Sequence, residues 1–376
     1  MSDLRVGIAG AVRGGGFLAG LAALGGRAHL AAVYDPQAAA VRRFTDEHPE
    51  TVTCGSFADL LDYCDLVVLA SPQQYHVPQA VMALGRGIHV LSEVPAAVSL
   101  DQAKELLGAV RRTDARYALA ENYCYTRPNL IVRAMVEAGR FGEIYYGEGE
   151  YLHEMKSWHV TDDGQPTWRH YWQVGRDGHT YPTHSLGPLL TWTSDRVIAV
   201  SCQGTGRHTD PEHVLQDTTI SLMRTAQGRL LTIRFDLLSN RPHLMDYYAI
   251  QGTAGAYEAS RAEVNQPLVY LEGTSPKATW EPLEHYAEEF LPQEYRNPPE
   301  GAGHWGSDAW PIINFVRAVE SGGPVDIDIY AALDFSLPAM AAEASIARGG
   351  AWVDVPDPRY FTEGIGVDPG KEVPLA

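Results

Sequence analysis

Basic residues are scarce in this chain. Its 376 residues include 29 lysines and arginines against 47 aspartates and glutamates, a formal charge of -18. Nucleic-acid binding needs clustered cations that displace counterions from phosphate, so no nucleic-acid partner is expected and a small polyol or sugar fits better. Cysteine is scarce as well. Cys54, Cys64, Cys124 and Cys202 form no CxxC pair and match no zinc spacing, which reads as buried free thiols in a reducing compartment. No apolar run reaches the roughly 18 residues that a membrane span needs. The N-terminus, Met1-Ser2-Asp3-Leu4-Arg5, enters a strand pattern directly, without the basic region, apolar stretch and cleavage site of a secretory leader. These absences lead to the expectation of a cytoplasmic protein with no membrane partner, and there is no internal repeat or low-complexity tract.

The length exceeds what one core usually accommodates, and 45% hydrophobic content suffices to fill two. Residues 4–9 are a short apolar run that breaks into Gly10-Ala11-Val12-Arg13-Gly14-Gly15-Gly16 and continues as a helical stretch over 17–24. Strand patterns recur at 29–34, 66–70, 88–91 and 116–120, with helical patterns at 38–47, 77–84 and 129–138. Alternation of this kind predicts an α/β Rossmann domain, a doubly wound parallel sheet, over residues 1–122. After Gly142 the texture changes. Strand-like runs at 144–151, 197–203, 218–223, 229–236 and 247–251 follow one another without helices, predicting an α+β domain over 123–376 on an open, largely antiparallel sheet. Helical patterns at 309–319 and 330–347 close the chain back over both domains, while 297–306 and the tail from 356 read as loops. A sheet covered on one face only would expose much apolar surface, so a homodimer or homotetramer is expected.

In a dinucleotide fingerprint the first glycine makes the tight turn, the second admits the pyrophosphate and the third lets the helix approach the strand. Gly10 and Gly15 fit the first and third positions, and Val12 occupies the second. The turn follows a strand and opens a helix, whose N-terminal amides suit phosphate oxygens. Asp35 ends the second strand, where a carboxylate accepts hydrogen bonds from the adenosine ribose and repels a 2′-phosphate, so the expected cofactor is NAD.

Farther on, Gly178-His179-Thr180-Tyr181-Pro182-Thr183-His184-Ser185-Leu186-Gly187-Pro188 places two proton carriers, Tyr181 and His184, three residues apart. The same residues read alternatively as a packing ring and a helix-start histidine bonded to backbone. His304 and Asp308, four apart, could ligate a metal, but the other ligands of a closed site are not visible and no metal is expected. Trp158, Trp168, Tyr171 and Trp172 suit sugar stacking and an apolar interface equally.

Two further stretches carry a family resemblance: Ala70-Ser71-Pro72-Gln73-Gln74-Tyr75-His76 and Gly87-Ile88-His89-Val90-Leu91-Ser92-Glu93-Val94-Pro95-Ala96-Ala97. They resemble the nicotinamide-side loops of the glucose-fructose oxidoreductase / inositol dehydrogenase (Gfo/Idh/MocA) family, which implies cofactor contacts from Ser71, Pro72, His76 and Glu93. For His76 and Glu93 a loop histidine and a capping carboxylate remain the alternatives. In that family the second stretch usually reads Glu-Lys-Pro, with the lysine assisting proton transfer; here Val94 stands in its place.

The Glu-Val-Pro-Ala-Ala variant resembles the NAD-dependent glycosidases of glycoside hydrolase family 109, the α-N-acetylgalactosaminidase type. So do Arg13-Gly14 in the phosphate turn, Glu121-Asn122, Glu148-Gly149-Glu150-Tyr151-Leu152-His153, Tyr181-Pro182-Thr183-His184, Gln251-Gly252-Thr253 and Gly303-His304-Trp305-Gly306-Ser307-Asp308. The resemblance implies a redox-neutral route: C3 oxidation, C2 deprotonation with loss of the C1 substituent, water addition and re-reduction. Tyr181 is then the candidate C2 base, His184 its partner or the group polarising the C3 oxygen, and Glu148 and His153 the groups that orient hydroxyls or activate water. A sugar or cyclitol dehydrogenase and a non-catalytic NAD-binding regulator are the competing expectations.

Overall fold

The computed structural model describes residues 3–262 and 265–362. Internal contacts divide the chain into two compact units. One comprises the residues up to Ala120, Pro299–Leu333 and the segment from Asp357; the other comprises Glu121–Pro298 and Asp334–Pro356. Most of the tail from 356 lies outside the described residues. No helix among the described residues is long and apolar enough to cross a membrane.

The first unit is the expected Rossmann fold. Among the described residues it holds a six-stranded parallel sheet built from β1 (Leu4–Ala9), β2 (Ala28–Tyr34), β3 (Val52–Thr53), β4 (Leu66–Leu69), β5 (His89–Ser92) and β6 (Tyr117–Leu119). Their spatial order is β3-β2-β1-β4-β5-β6. Helices cover both faces of such a sheet, so a central strand reads as a continuous apolar run: all four residues of Leu66-Val67-Val68-Leu69 are buried, whereas both residues of the edge strand β3 are exposed. The order reverses between β1 and β4, the point at which open parallel sheets bind ligands. Gly10, Asp35, Ser71 and Glu93 all lie just beyond the carboxyl ends of β1, β2, β4 and β5. Segment 299–333 folds with this unit; its helix Ala309–Ser321 packs on Leu18–Ala23, where a Cβ on Gly20 would stand 2.5 Å from the Ala309 carbonyl oxygen.

Helix Leu100–Arg111 is an element that the apolar pattern does not single out. Its start is nevertheless encoded. Ser99 Oγ accepts the Gln102 amide at 3.2 Å, and Gln102 Oε1 accepts the Val98 amide at 3.1 Å, a variant of the reciprocal cap of a Ser-x-x-Gln start.

The second unit carries nine strands among its described residues: β7 (Ile144–Leu152), β8 (Val197–Gly204), β9 (Thr218–Thr225), β10 (Leu230–Asp236), β11 (Leu244–Gly252), β12 (Gly255–Glu258), β13 (Leu268–Leu271), β14 (Glu281–Pro282) and β15 (Val353–Asp354). The order is β14-β13-β12-β11-β7-β10-β9-β8-β15, antiparallel apart from the β7–β10 ladder. Helix Thr183–Thr193 lies against β7 because Gly149 leaves that strand without a side chain at the contact, and Gly187 admits Glu121 to the helix. A Cβ on Gly149 would stand 2.5 Å from the Ser185 carbonyl oxygen, and one on Gly187 would stand 2.8 Å from Glu121 Cγ.

That close approach generates a prediction. Gly149→Ala must push the helix off the sheet and should destabilise the protein by about 1–3 kcal/mol, as overpacking does. Gly85→Ala, with nothing within 4 Å of the added carbon, should be neutral or stabilising. Thermal melts of the two variants check the contrast, and equal midpoints would contradict it.

Candidate active site

The glycine turn of the first unit is built for a close backbone approach. Gly10 has φ 94°, and its Cβ would meet the Ala70 carbonyl oxygen at 2.4 Å. The close-packing role expected of Gly15 falls on Gly14, whose Cβ would overlap Ile8 Cγ2 at 2.3 Å, while nothing approaches Gly15 nearer than 4.0 Å. Val12 is 75% exposed, so its side chain turns outward and the missing second glycine does not block the turn. Asp35 braces the turn: its carboxylate accepts the Ala11 amide at 3.0 Å and the Gln37 amide at 2.8 Å, with lone pairs left for ribose hydroxyls. A left-handed glycine, a close-packed helix start and a carboxylate at the next strand end fit a dinucleotide.

His76 does not present a nitrogen to a cofactor. It is buried, with Nδ1 3.0 Å from the Pro95 carbonyl oxygen and Nε2 2.8 Å from that of Ser71, and burial lowers its pKa. It struts the two loops that the sequence assigned to the cofactor. Val94, at the position of the family lysine, is buried and has no group to move a proton.

Arg13 connects motifs that sequence spacing left separate. Its Nε lies 2.6 Å from Glu93 Oε1, and its two terminal nitrogens donate to Asp308 at 2.8 and 3.0 Å. Asp308 is buried and also accepts from His304 Nδ1 at 2.8 Å. Burial would raise its carboxyl, but the hydrogen bonds from His304 and Arg13 and the Arg13 charge hold it well below the usual carboxylate range. His304 and Asp308 thus anchor Arg13. Among the described residues no group of three or more His, Cys, Asp and Glu side chains could hold a metal ion.

The second unit assembles a compact cluster of titratable side chains. Glu121 is completely buried, and His184 Nδ1 stands 2.7 Å from its Oε1. A carboxylate accepts, so Nδ1 carries the proton that bonds it and Nε2 is the ring nitrogen left to other partners. Tyr248 donates to the His184 carbonyl oxygen at 2.5 Å and fixes the backbone. Tyr123, Tyr151 and Tyr181 surround the ring at centroid distances of 4.1, 5.1 and 5.0 Å. Burial raises the Tyr123 and Tyr151 phenols well above their ordinary range, so both stay protonated at neutral pH. The helix begins only at Thr183; Tyr181 reaches His184 from the preceding loop rather than from one helical turn away.

His153 extends the cluster. Its Nδ1 is 2.9 Å from the Tyr151 hydroxyl, and its ring lies 4.4 Å from that of His243. Burial, then the neighbouring His243 and Arg169, push His153 down to about 4, leaving it neutral near pH 7. Trp158 packs edge-on at 5.6 Å, and with Trp168 it flanks the Arg169 guanidinium at 5.2 and 4.4 Å.

Glu148 is not part of this cluster. Side chains alternate along β7, and with Gly147, Gly149 and Tyr151 facing the helix, Glu148 points to the opposite face. There it accepts from the Tyr146 hydroxyl at 2.8 Å and lies 3.6 Å from Arg261. Glu121, Tyr123, Tyr151 and His243 were missed as site residues. Glu121 and Tyr151, inside quoted motifs, left a signal in the sequence; Tyr123 and His243 lie outside them and come near only in the folded chain.

Comparison with known proteins agrees with both units. Residues 4–121 match the family described as "Oxidoreductase family, NAD-binding Rossmann fold", and residues 125–200 and 197–366 match "Glycosyl hydrolase 109, C-terminal domain". A glycosyl hydrolase family 109 protein of Saccharopolyspora erythraea is 32% identical over 98% of this chain and 86% of its own length. An alpha-N-acetylgalactosaminidase of Shewanella oneidensis is 27% identical over 82% of this chain and 72% of its own. Among solved structures, a levoglucosan dehydrogenase in complex with NADH and levoglucosan has the same fold, with a TM-score of 0.79 at 19% identity over 94% of this chain and 100% of that one. With an NAD-binding Rossmann domain followed by this C-terminal domain, the chain belongs to glycosyl hydrolase family 109.

Proposed function

We propose that this NAD-dependent enzyme is a glycoside hydrolase that releases the C1 substituent of a sugar through transient oxidation at C3. The observation that carries the reading is the buried Glu121–His184 pair beside Tyr181, which provides the proton-transfer groups that Val94 lacks. The Shewanella oneidensis relative, named for its action on an α-N-acetylgalactosaminide, supports a glycoside as substrate.

The turn at Gly10–Gly15, with Val12, Arg13 and Asp35, together with the loops at Ser71-Pro72 and Glu93, would hold NAD. When bound, NAD supplies reversible hydride transfer at C3. His184 Nε2 takes the C3 hydroxyl proton as the C3 hydrogen leaves as hydride, and Glu121 stabilises the resulting imidazolium. His184 then donates to the C3 ketone oxygen, which acidifies the C2 hydrogen. Its positive charge beside Tyr181 favours the phenolate that removes the C2 proton. The electron pair becomes a C1–C2 double bond as the bond from C1 to the aglycone oxygen breaks; that oxygen takes a proton from solvent, and the water that later adds to C1 gives one back. Neutral His153 and Tyr151 hold the water that adds to C1 while a proton returns to C2 from Tyr181. With the reverse of the hydride transfer supplied by NAD, His184 would return its proton to the C3 oxygen, leaving one water consumed and no net oxidation.

Nitrophenyl glycosides incubated with and without NAD test this reading. Nitrophenol should be released without a matching rise in NADH; NADH accumulating in step with sugar consumption would instead identify a sugar dehydrogenase. In the same assay Tyr181→Phe and Glu121→Gln should each lower kcat by about 10²-fold with KM nearly unchanged. Full-speed variants would contradict the assigned roles.

We also propose a homodimer or homotetramer. Ile220 and Leu222 of β9 and Leu230 of β10 are about 40–45% exposed, and the β9 pair shares the sheet face of Glu148, opposite helix Thr183–Thr193. Light scattering at micromolar concentration should give at least twice the monomer mass, and a monomer would refute the proposal.

A further inference from the structure

We propose that Trp305 is a contact residue for the bound dinucleotide, an inference that rests on NAD binding at the glycine turn. Trp305 is 64% exposed, so it contributes little to the core of its own unit. Its backbone is harder to explain. His304, Trp305 and Gly306 have φ of 47°, 56° and 91°, three successive residues in the left-handed region where glycine is at home and a bulky side chain is not. Structure retained against local preference is concentrated at ligand contacts, where the surroundings hold it in place.

The surroundings here do so. His304 Nδ1 stands 2.8 Å from Asp308 Oδ2, and Asp308 takes both terminal nitrogens of Arg13 at 2.8 and 3.0 Å. A Cβ on Gly303 would lie 2.6 Å from Asp308 Oδ2, so the segment 303–308 is closed tightly on that carboxylate. Arg13 belongs to the glycine turn and reaches Glu93 with its third nitrogen at 2.6 Å. One guanidinium therefore ties the indole-bearing segment to the glycine turn and to the loop after β5. An exposed indole held this way offers a flat apolar face to a ribose or a nicotinamide ring, which a glycine there could not.

The test uses whole protein stripped of cofactor and titrated with NADH while tryptophan emission is followed. In Trp305→Gly the backbone gains a residue suited to its φ, so the thermal midpoint should hold or rise and any loss of binding is not a folding defect. The NADH Kd should rise by about tenfold, Trp305→Phe should stay within a few-fold of the parent, and both variants should lose part of the NADH-induced quenching. A Trp305→Gly protein with unaltered Kd and quenching would overturn the proposal. Unaltered Kd with a raised glycoside KM would also overturn it, by assigning the indole to the sugar. Failure of the parent protein to bind NADH would refute the cofactor reading itself, and this inference with it.

Discussion

A carboxylate with no exposed surface must have a partner, and in the second unit that requirement organises the site. Glu121 has one oxygen on His184 Nδ1 and on the Tyr123 amide, so it determines both the ring orientation and which imidazole nitrogen carries the proton. Around this bond the sequence is arranged sterically. Gly187 lets the helix approach the Glu121 side chain, Gly149 lets it lie on β7, and Tyr248 holds the His184 carbonyl. Three tyrosine rings then pack around the imidazole.

The first unit depends on a comparable joint. Arg13 is held between the carboxylates of Glu93 and Asp308, and its aliphatic and guanidinium parts pass over Phe17, 5.2 Å from the ring centroid. A partly buried guanidinium that satisfies two carboxylates sets the spacing of the turn and the loop after β5, whereas His76, with both nitrogens at carbonyls, sets the spacing of the loops after β4 and β5. The two residues brace the loops that follow β1, β4 and β5 against one another.

Much of the fold was legible because its signals are local. The buried apolar strands, the Gly10 turn and the alternation with helices are readable from periodicity, and the change to consecutive strands after Gly142 marks the second unit. Short strands such as β12 to β15 were not, since two to four residues carry no period. The site was legible in part. Tyr181 and His184 stand in one motif, but Glu121 lies 63 residues from His184, and Arg13 lies 295 from Asp308, so only the folded chain pairs them. Glu148 was misplaced for a physical reason: in a strand, neighbours in sequence face opposite ways, and a motif that contains both Glu148 and Tyr151 serves two surfaces.

The central claim is that proton removal at C2 precedes loss of the aglycone while the C3 hydrogen travels as hydride and returns. Cleavage of a glycoside carrying deuterium at C3 in ordinary water, and of the unlabelled glycoside in heavy water, followed by NMR of the released sugar, tests it directly. The account predicts deuterium retained at C3 in the first experiment and incorporated at C2 in the second. Release of sugar without solvent deuterium at C2, or with the C3 label lost, would contradict it.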